Sequence, residues 1–353
     1  MMYLLAFGLA FALSAGLTPL VRRFALSRGI VDAPSSERKI HKHEIAYLGG
    51  VAIFAAFVVT VGIFLPLTRQ LGALLLGCAI LVVVGVIDDV RDLPPWVKLA
   101  GQFLAAGVAL AGGIGITAVT NPFGGVIDLS WGRMTFDLLG IEFHISPIAN
   151  TLSLLWMVGL ANTINFLDGL DGLACGTSGI AALVMFGLAI MPHVGQPAVA
   201  LLAIILAGAA FGFLPYNFFP ARIFMGDSGA YFLGLTLAML SIYSGAKLAT
   251  AALVLGFPIV DALWAATRRL AKRTSPFRAD RQHFHHLLLD AGMTQRQAVL
   301  TLYAVAGIFG WVALTVGSFA KLIALLVLMF LMAISIGALV YMNWIKARKI
   351  YPK

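Results

Sequence analysis

The chain has 353 residues, of which 61% are hydrophobic and only 11% are charged. Soluble domains carry about 25% charged residues, so this composition excludes an ordinary soluble protein and indicates an integral membrane protein. The formal net charge of +9 does not require a nucleic-acid partner. Basic loops beside a membrane suit insertion and contact with anionic lipid headgroups.

Long apolar runs recur along the chain, and a membrane-spanning helix needs about 20 mostly apolar residues. Because the runs are continuous rather than alternating, they favour helices over a strand-built barrel. We therefore predict an all-α polytopic membrane protein with one membrane-embedded domain over residues 1–353. We count eleven runs, near residues 3–21, 47–66, 70–87, 98–118, 146–163, 173–191, 197–214, 229–244, 247–265, 298–316 and 321–343.

The basic residues set the predicted orientation, because Lys and Arg concentrate on the cytoplasmic side of membrane proteins. With the N-terminus outside, the cytoplasmic loops and tail hold 20 of the 24 Lys and Arg residues. We therefore predict eleven spans and a cytoplasmic C-terminus, with 266–297 as a cytoplasmic substrate-binding loop. The outer loop 119–145 alternates and contains turn residues, which predicts a small β-hairpin.

Three carboxylates follow the third apolar run, in the stretch GVIDDVRD. Asp88 and Asp89 are adjacent, and Asp92 would share a face with Asp88 if the helix continued. Acids are unfavourable at a helix C-terminus, and a dense negative site needs a cation or a basic side chain. A solvated helix end with Arg91 as counterion is the alternative interpretation.

Two further motifs place polar groups at predicted helix ends. In NTINFLDGLDGL, Asn162, Asn165, Asp168 and Asp171 recur at three-residue intervals. The alternative here is an ordinary Asn/Asp/Gly turn between spans. In FMGDSGA, Asp227 precedes a span, where a helix N-cap is the alternative.

The loop RRLAKRTSPFRADRQHFHHLLLDAG combines basic residues with His283, His285 and His286. Basic side chains beside histidines fit phosphate recognition, and zinc binding is a weaker alternative because no cysteines accompany the histidines. Carboxylate and amide oxygens bind Mg²⁺, usually together with substrate phosphates. These motifs therefore predict phosphoryl transfer at the membrane surface, with a lipid as one substrate and Mg²⁺ as cofactor (Mn²⁺ as a substitute).

GVIDDVRDLPPWVK, NTINFLDGLDGL, FMGDSGA and SPFRADRQHFHHLLLDAG resemble the motifs of the polyprenyl-phosphate N-acetylhexosamine-1-phosphate transferases. The resemblance extends from DAPSSERKIHKHEIAYLGG onwards, and the last loop is most similar to the bacterial WecA/TagO branch. It implies transfer of GlcNAc-1-phosphate from UDP-GlcNAc to undecaprenyl phosphate. It also implies a homodimer in the bacterial cytoplasmic membrane, with the active site facing the cytoplasm.

The resemblance also implies roles for residues of the metal and phosphate site. Asp227 matches the principal Mg²⁺-binding aspartate, and Asn165 matches a residue that helps to hold metal and pyrophosphate. Asp88 matches a residue proposed to deprotonate or position the lipid phosphate, while Asp89 supports the metal site. Lys98 matches a lysine that contacts the phosphates.

Other residues are implied to bind the nucleotide sugar. Asp168 and Asp171 belong to the nucleotide-binding motif, where Asp171 is implied to contact uracil, and we add Asn162 of the same motif. Lys39 matches a basic residue near the nucleotide. The histidine motif, His283, His285 and His286, is implied to lie near sugar and pyrophosphate.

Two rival functions remain open at the level of sequence. One is the same reaction with another UDP-N-acetylhexosamine, such as UDP-MurNAc-pentapeptide. The other is a cation-coupled transporter, which would place acids near the bilayer midplane and show repeat symmetry. The polymer that the product would prime, for example an O-antigen or a teichoic acid, is also open.

Overall fold

The computed structural model describes residues 1–32, 44–138, 141–244, 247–271 and 283–350. It is mainly helical, and each of the eleven predicted apolar runs overlaps a helix or, in one case, a bent pair of helices. The helices are α1 (Met2–Ser27), α2 (Gly49–Phe64), α3 (Arg69–Arg91), α4 (Pro95–Ala111), α5 (Pro147–Leu167), α6 (Leu173–Ala189), α7 (Pro197–Asn217), α8 (Gly226–Tyr243), α9 (Leu248–Val254), α10 (Gly256–Ala271), α11 (Phe284–Asp290), α12 (Gln295–Thr315) and α13 (Ser318–Ile350).

The helices differ in their capacity to span a membrane. Among the described residues, six are long and apolar enough to do so: α1, α3, α5, α7, α12 and Ser318–Met342 of α13. Helices α9 and α10 meet at 79° and make a seventh candidate if they form one broken span. Helices α2, α4 and α6 are apolar but shorter. The chain is therefore a helical multi-pass membrane protein, while the count of eleven and the orientation stay predictions.

Short antiparallel strand pairs interrupt the helices. The pairs are β1 (Val31–Asp32) with β2 (Ile45–Ala46), β3 (Ala118–Thr120) with β4 (Val126–Asp128), and β5 (Met134–Leu138) with β6 (Ile141–Ile145). In the last pair Met134 lies opposite Ile145 and Leu138 opposite Ile141. The hairpin predicted within 119–145 is therefore confirmed, and the same segment contains most of a second one.

Helices α7 and α8 form the centre of the bundle. Most of their side chains are buried, including Phe213 and Phe232, which are fully enclosed. A helix that is apolar on all sides belongs in the interior, and these two are packed among α1, α2, α3, α5 and α6.

The start of α8 is held tightly between α2 and α3. A Cβ on Gly85 of α3 would collide with the backbone of Ser228, and one on Gly50 of α2 would collide with Gly229. Small residues allow membrane helices to approach at backbone distance. The close packing brings the acidic end of α3 against the first turn of α8.

The helical continuation that would place Asp92 on the face of Asp88 is absent. Helix α3 ends at Arg91, and Asp92 caps it in the left-handed conformation with φ 48°. Asp92 therefore does not continue the helical face of Asp88. The chain turns instead through Leu93 and Pro94 into α4, whose first turn contains Pro95.

Candidate active site

A cavity of about 650 Å³ opens where the ends of α3 and α5 meet the beginning of α8. Five aspartates with a role implied by the resemblance lie in its wall, together with Asp92 of the first motif and Asp32, to which no role was assigned. The aspartates that line it are Asp32, Asp88, Asp89, Asp92, Asp168, Asp171 and Asp227. So many carboxylates in one cavity repel one another unless cations sit among them.

Lys98 supplies one such cation from the first turns of α4. Its Nζ lies 2.7 Å from Asp88 Oδ2 and 3.3 Å from Asp227 Oδ2. Asp88 is buried, and its Oδ1 accepts the Leu93 N–H at 2.7 Å. The ammonium therefore joins the ends of three helices and partly offsets two carboxylates.

Asp227 is the second residue of α8, with Met225 as N-cap. The alternative that Asp227 is merely the N-cap is therefore wrong. A carboxylate in the first turn of a helix is favoured by the helix dipole. Its Oδ1 accepts a hydrogen bond from Asn165 Nδ2 of α5 at 2.7 Å, so the predicted pair of Asp227 and Asn165 is brought together.

Asp89 holds the beginning of α8 in place. Its Oδ1 accepts the Asp227 N–H at 2.8 Å, and its Oδ2 accepts the Ser228 hydroxyl at 2.9 Å. A side chain of α3 thereby satisfies donors at the start of α8 that have no partner within that helix. This geometry suits the supporting role that the resemblance implies for Asp89.

The turn 168–172 joins α5 to α6 along the cavity. Asp171 Oδ2 accepts the Ala221 N–H at 2.9 Å, and Asn217 Oδ1 accepts the Gly172 N–H at 3.1 Å. Desolvation, with the charges of Asp227 and Asp89, raises the pKa of the Asp168 carboxyl well above its usual range. A nearby cation would therefore stabilise the charged form of Asp168 more than that of an ordinary carboxyl.

Asn162 is the one member of its motif that points away from the large cavity. Its amide pairs with that of Gln102 of α4: Asn162 Nδ2 donates to Gln102 Oε1 at 2.6 Å, and Asn162 Oδ1 accepts from Gln102 Nε2 at 3.2 Å. It lines a neighbouring cavity of about 90 Å³ that Lys98 and Asn165 also border. The structure thus places Asn162 beside Lys98 and not in the large cavity.

The three histidines lie on or next to the short helix α11, outside the wall of the large cavity. The His283 and His285 rings are nearly parallel at 5.7 Å, and the His285 and His286 centroids are 4.3 Å apart. The His285 ring packs so closely on Gly169 that a Cβ there would overlap it. The histidine cluster therefore contacts the turn 168–172 from outside the wall of the large cavity.

Burial, together with His286 and His283, lowers the pKa of His285 well below its usual range. Within the described part of the chain, neither ring nitrogen of His285 has a hydrogen-bond partner. Both observations favour the neutral form of the His285 imidazole over the protonated form.

The donor set suits Mg²⁺ by its chemistry, because Asp227, Asn165 and Asp89 offer oxygen ligands at one point of the wall. Within the described residues, however, no three His, Cys, Asp or Glu side chains converge into a complete metal site. Mg²⁺ commonly uses only one or two carboxylates and takes its other ligands from phosphates and water. The residues therefore fit a cation that binds with its substrate. The zinc alternative for the histidines gains no support.

Lys39, the predicted nucleotide contact, lies outside the described residues.

Several other residues of this region were not identified from the sequence. Gln102, Asn217 and Ser228 each hold a predicted site element by hydrogen bonds. Polar residues inside apolar runs were the available signal, and the same signal marks Asp261 of α10.

Comparison with known proteins places these motifs in a family. The profile of glycosyl transferase family 4 matches residues 71–245, which include Asp88, Lys98, Asn165 and Asp227. A Bacillus subtilis protein described as a probable undecaprenyl-phosphate N-acetylglucosaminyl 1-phosphate transferase is 33% identical, over 86% of this chain and 81% of its own length.

Two further relatives cover similar shares of the chain. The decaprenyl-phosphate N-acetylglucosaminephosphotransferase of Mycobacterium tuberculosis is 36% identical, over 82% of this chain and 76% of its own length. The undecaprenyl-phosphate alpha-N-acetylglucosaminyl 1-phosphate transferase of Salmonella typhi is 29% identical, over 84% and 79% respectively. With its acidic cavity and its ordered motifs, the chain belongs to glycosyl transferase family 4, among the polyprenyl-phosphate N-acetylhexosamine-1-phosphate transferases.

Proposed function

We propose that this protein transfers GlcNAc-1-phosphate from UDP-GlcNAc to undecaprenyl phosphate, forming undecaprenyl-pyrophosphoryl-GlcNAc and UMP. Family membership and the names of its relatives support this reaction. The observation in the structure that carries it is the Lys98 bridge between Asp88 and Asp227, inside a cavity walled by aspartates. A phosphate-binding cation is thereby held at the position where two phosphorylated substrates would meet.

The reaction joins an oxygen of the lipid phosphate to the β-phosphorus of UDP-GlcNAc. The bond from that phosphorus to the bridging oxygen breaks, and UMP leaves with the electron pair. The lipid phosphate is already an anion at neutral pH, so the step depends on positioning and charge compensation more than on a general base. Catalysis then consists mainly of bringing anions together against their repulsion.

The catalytic residues we propose are Asp88, Asp89 and Asp227. Asp88 fixes the Lys98 ammonium, which contacts the phosphates, and so positions the lipid phosphate. Asp89 keeps the first turn of α8 in register, and that turn presents Asp227. Asp88 and Asp227 are thus coupled through one lysine.

The donor would bind along the turn that carries Asp168 and Asp171. Asp171 is held by the Ala221 N–H, and the resemblance implies that this residue contacts the uracil base. Asn165 and Asn162 border the phosphate region, and His283, His285 and His286 border the turn from behind. Lys39 stays a predicted nucleotide contact.

Mg²⁺ is part of the proposal, with Asp227, Asn165 and Asp89 as the residues that would hold it. When bound, it would supply positive charge to the pyrophosphate as UMP leaves. Lys98 cannot offset seven aspartates alone, because it is a single charge, so the cavity needs further cations before it accepts an anionic substrate.

The remaining assignments follow from the same reasoning. We propose a homodimer in the bacterial cytoplasmic membrane with the cavity facing the cytoplasm, acting at the first membrane step of a cell-surface polysaccharide. Relatives are named for both undecaprenyl and decaprenyl phosphate, so acceptor length is a variable to test. The acids of the cavity lie at helix ends or in the turns beside them, which argues against the alternative of a cation-coupled transporter.

The decisive experiment measures UMP release from radiolabelled UDP-GlcNAc by purified protein, with and without undecaprenyl phosphate and Mg²⁺. We expect release only when both are present. A panel with UDP-MurNAc-pentapeptide and decaprenyl phosphate separates the alternative substrates. Absence of lipid-dependent UMP release from every UDP-N-acetylhexosamine would overturn the proposed function.

A further inference from the structure

Asp261 is a buried acid in the apolar part of α10, and both of its oxygens contact the histidine segment. It is 4% exposed. Its Oδ2 lies 3.0 Å from His283 Nδ1, and its Oδ1 accepts the Phe284 N–H at 2.8 Å. A carboxylate buried among apolar residues is costly unless such partners satisfy it, so the contacts explain how Asp261 is tolerated there.

The two contacts meet at the first residues of α11. His283 is the N-cap of that helix and makes no side-chain cap hydrogen bond, and Phe284 is its first residue. A side chain of α10 therefore takes the place of a local cap. The origin of the histidine helix is tied to the bent helix pair α9–α10.

The same contact sets which nitrogen of His283 carries the proton. A carboxylate oxygen only accepts hydrogen bonds, so Nδ1 must be the donor. Nε2 then lacks a proton in the neutral ring. Arg269 Nη2 lies 3.4 Å from Nε2, and because a guanidinium only donates, it requires the same tautomer.

His283 is in turn packed toward the candidate active site. Its ring lies nearly parallel to that of His285 at 5.7 Å, and the Phe166 ring of α5 lies 5.8 Å away. His285 presses on Gly169, which lines the large cavity. Contacts therefore run without a gap from Asp261 through His283 and His285 to the donor-binding turn.

We propose that Asp261 is a positioning residue that holds His283 in its Nδ1–H tautomer and anchors the histidine helix against the donor-binding turn. Its kinetic consequence rests on the proposed function, because the turn that the histidine helix supports must bind UDP-GlcNAc. Its structural part, the tautomer of His283, does not.

Asp261→Asn is the discriminating variant because Asn has nearly the same shape. The amide oxygen still accepts the Phe284 N–H, so the helix anchor is kept. The amide nitrogen then faces His283 Nδ1 and, as a donor, requires that atom to accept. The orientation and tautomer of His283 change, and with them the contact of Arg269 Nη2 with His283 Nε2.

The kinetic test compares wild type, Asp261→Asn, His283→Gln and the double variant in UMP release. We expect Asp261→Asn to lower kcat/KM for UDP-GlcNAc about tenfold, the size of one lost charged hydrogen bond, with unchanged KM for undecaprenyl phosphate. Because Asp261 acts through His283, the double variant should be no slower than His283→Gln. Multiplicative losses, or wild-type kinetics in Asp261→Asn, would overturn the proposal.

A spectroscopic test is independent of activity. The protein is labelled with ¹⁵N-histidine, and the His283 signals are identified by their loss in His283→Gln. We expect the Nδ1–H tautomer in the wild type at neutral pH and the Nε2–H tautomer in Asp261→Asn. An Nε2–H ring in the wild type contradicts the proposal even if the enzyme is active. An Nδ1–H ring supports its structural part even if UDP-GlcNAc is not the donor.

Discussion

The ammonium of Lys98 lies 2.7 Å from a carboxylate oxygen of Asp88, although the two residues belong to different helices. The turn between α3 and α4 makes this contact, and the Leu93 N–H occupies the other oxygen of Asp88. Asp88 therefore has no freedom to rotate without breaking two hydrogen bonds. Its position sets the position of the lysine.

We expect Asp88→Asn to lower kcat more than it changes the affinity for UDP-GlcNAc. The amide keeps the size of the side chain but removes the charge that orients Lys98, so the loss falls on alignment of the phosphates. A fall of about 100-fold in kcat is expected for a misplaced reacting group. UMP release measured over a UDP-GlcNAc titration checks it, with Asp128→Asn on the exposed strand β4 as the control. Near-normal kcat in Asp88→Asn would reject the proposed role.

Asp227→Ala should abolish turnover. The substitution removes the partner of both Lys98 and Asn165 and the principal carboxylate proposed for Mg²⁺. We also expect a chelator to stop UMP release by the wild type and added Mg²⁺ to restore it. Isothermal titration of Mg²⁺ with UDP-GlcNAc present should show binding in the wild type and none in Asp227→Ala. Equal Mg²⁺ binding by both proteins would place the metal elsewhere.

Gly85→Ala should destabilise the protein and lower activity, because the added methyl group collides with the backbone of Ser228 and displaces the first turn of α8. Overpacking of a closely packed interior costs about 1–3 kcal/mol. Thermal unfolding in detergent measures the loss. Gly107→Ala is the matched control, because an added Cβ there meets nothing within 4 Å and Ala favours the helix. Equal unfolding temperatures for the two variants would contradict the packing argument.

His285 should make stability depend on pH. Its folded pKa lies below the unfolded value of about 6.5, so the unfolded chain binds a proton that the folded protein excludes. Stability is therefore full above about pH 6.5 and falls as the pH drops toward the folded pKa, by about 1.4 kcal/mol per pH unit.

Unfolding temperatures of wild type and His285→Gln between pH 7.5 and pH 5 check this prediction. We expect the difference between the two proteins to change with pH over that interval. The same substitution at the exposed His193 serves as the control and should leave the profile unchanged. Parallel profiles for wild type and His285→Gln would show that His285 does not resist protonation.

The amino-acid sequence determined the class of this protein and the identity of its motifs. Apolar runs and the clustering of Lys and Arg predict a helical membrane protein, because lipid tolerates neither charge nor unpaired backbone groups. The acids and amides at helix ends stand out against that background, which made Asp88, Asp89, Asn165 and Asp227 recognisable without coordinates. The hairpin within residues 119–145 followed in the same way from alternation and turn residues.

Only the tertiary structure decided which of these residues meet. Lys98 contacts both Asp88 and Asp227, although Asp227 lies 129 positions further along the chain than Lys98. No local sequence pattern encodes a contact between residues so far apart. Asn162 has the same spacing as Asn165 but pairs with Gln102, because successive turns of α5 face different neighbours. In the sequence Asp261 is an isolated acid, and only the packing of α10 against α11 shows that it contacts His283. Local sequence specifies residue type and helix phase, whereas contacts between distant helices depend on where small residues such as Gly85 allow backbones to approach.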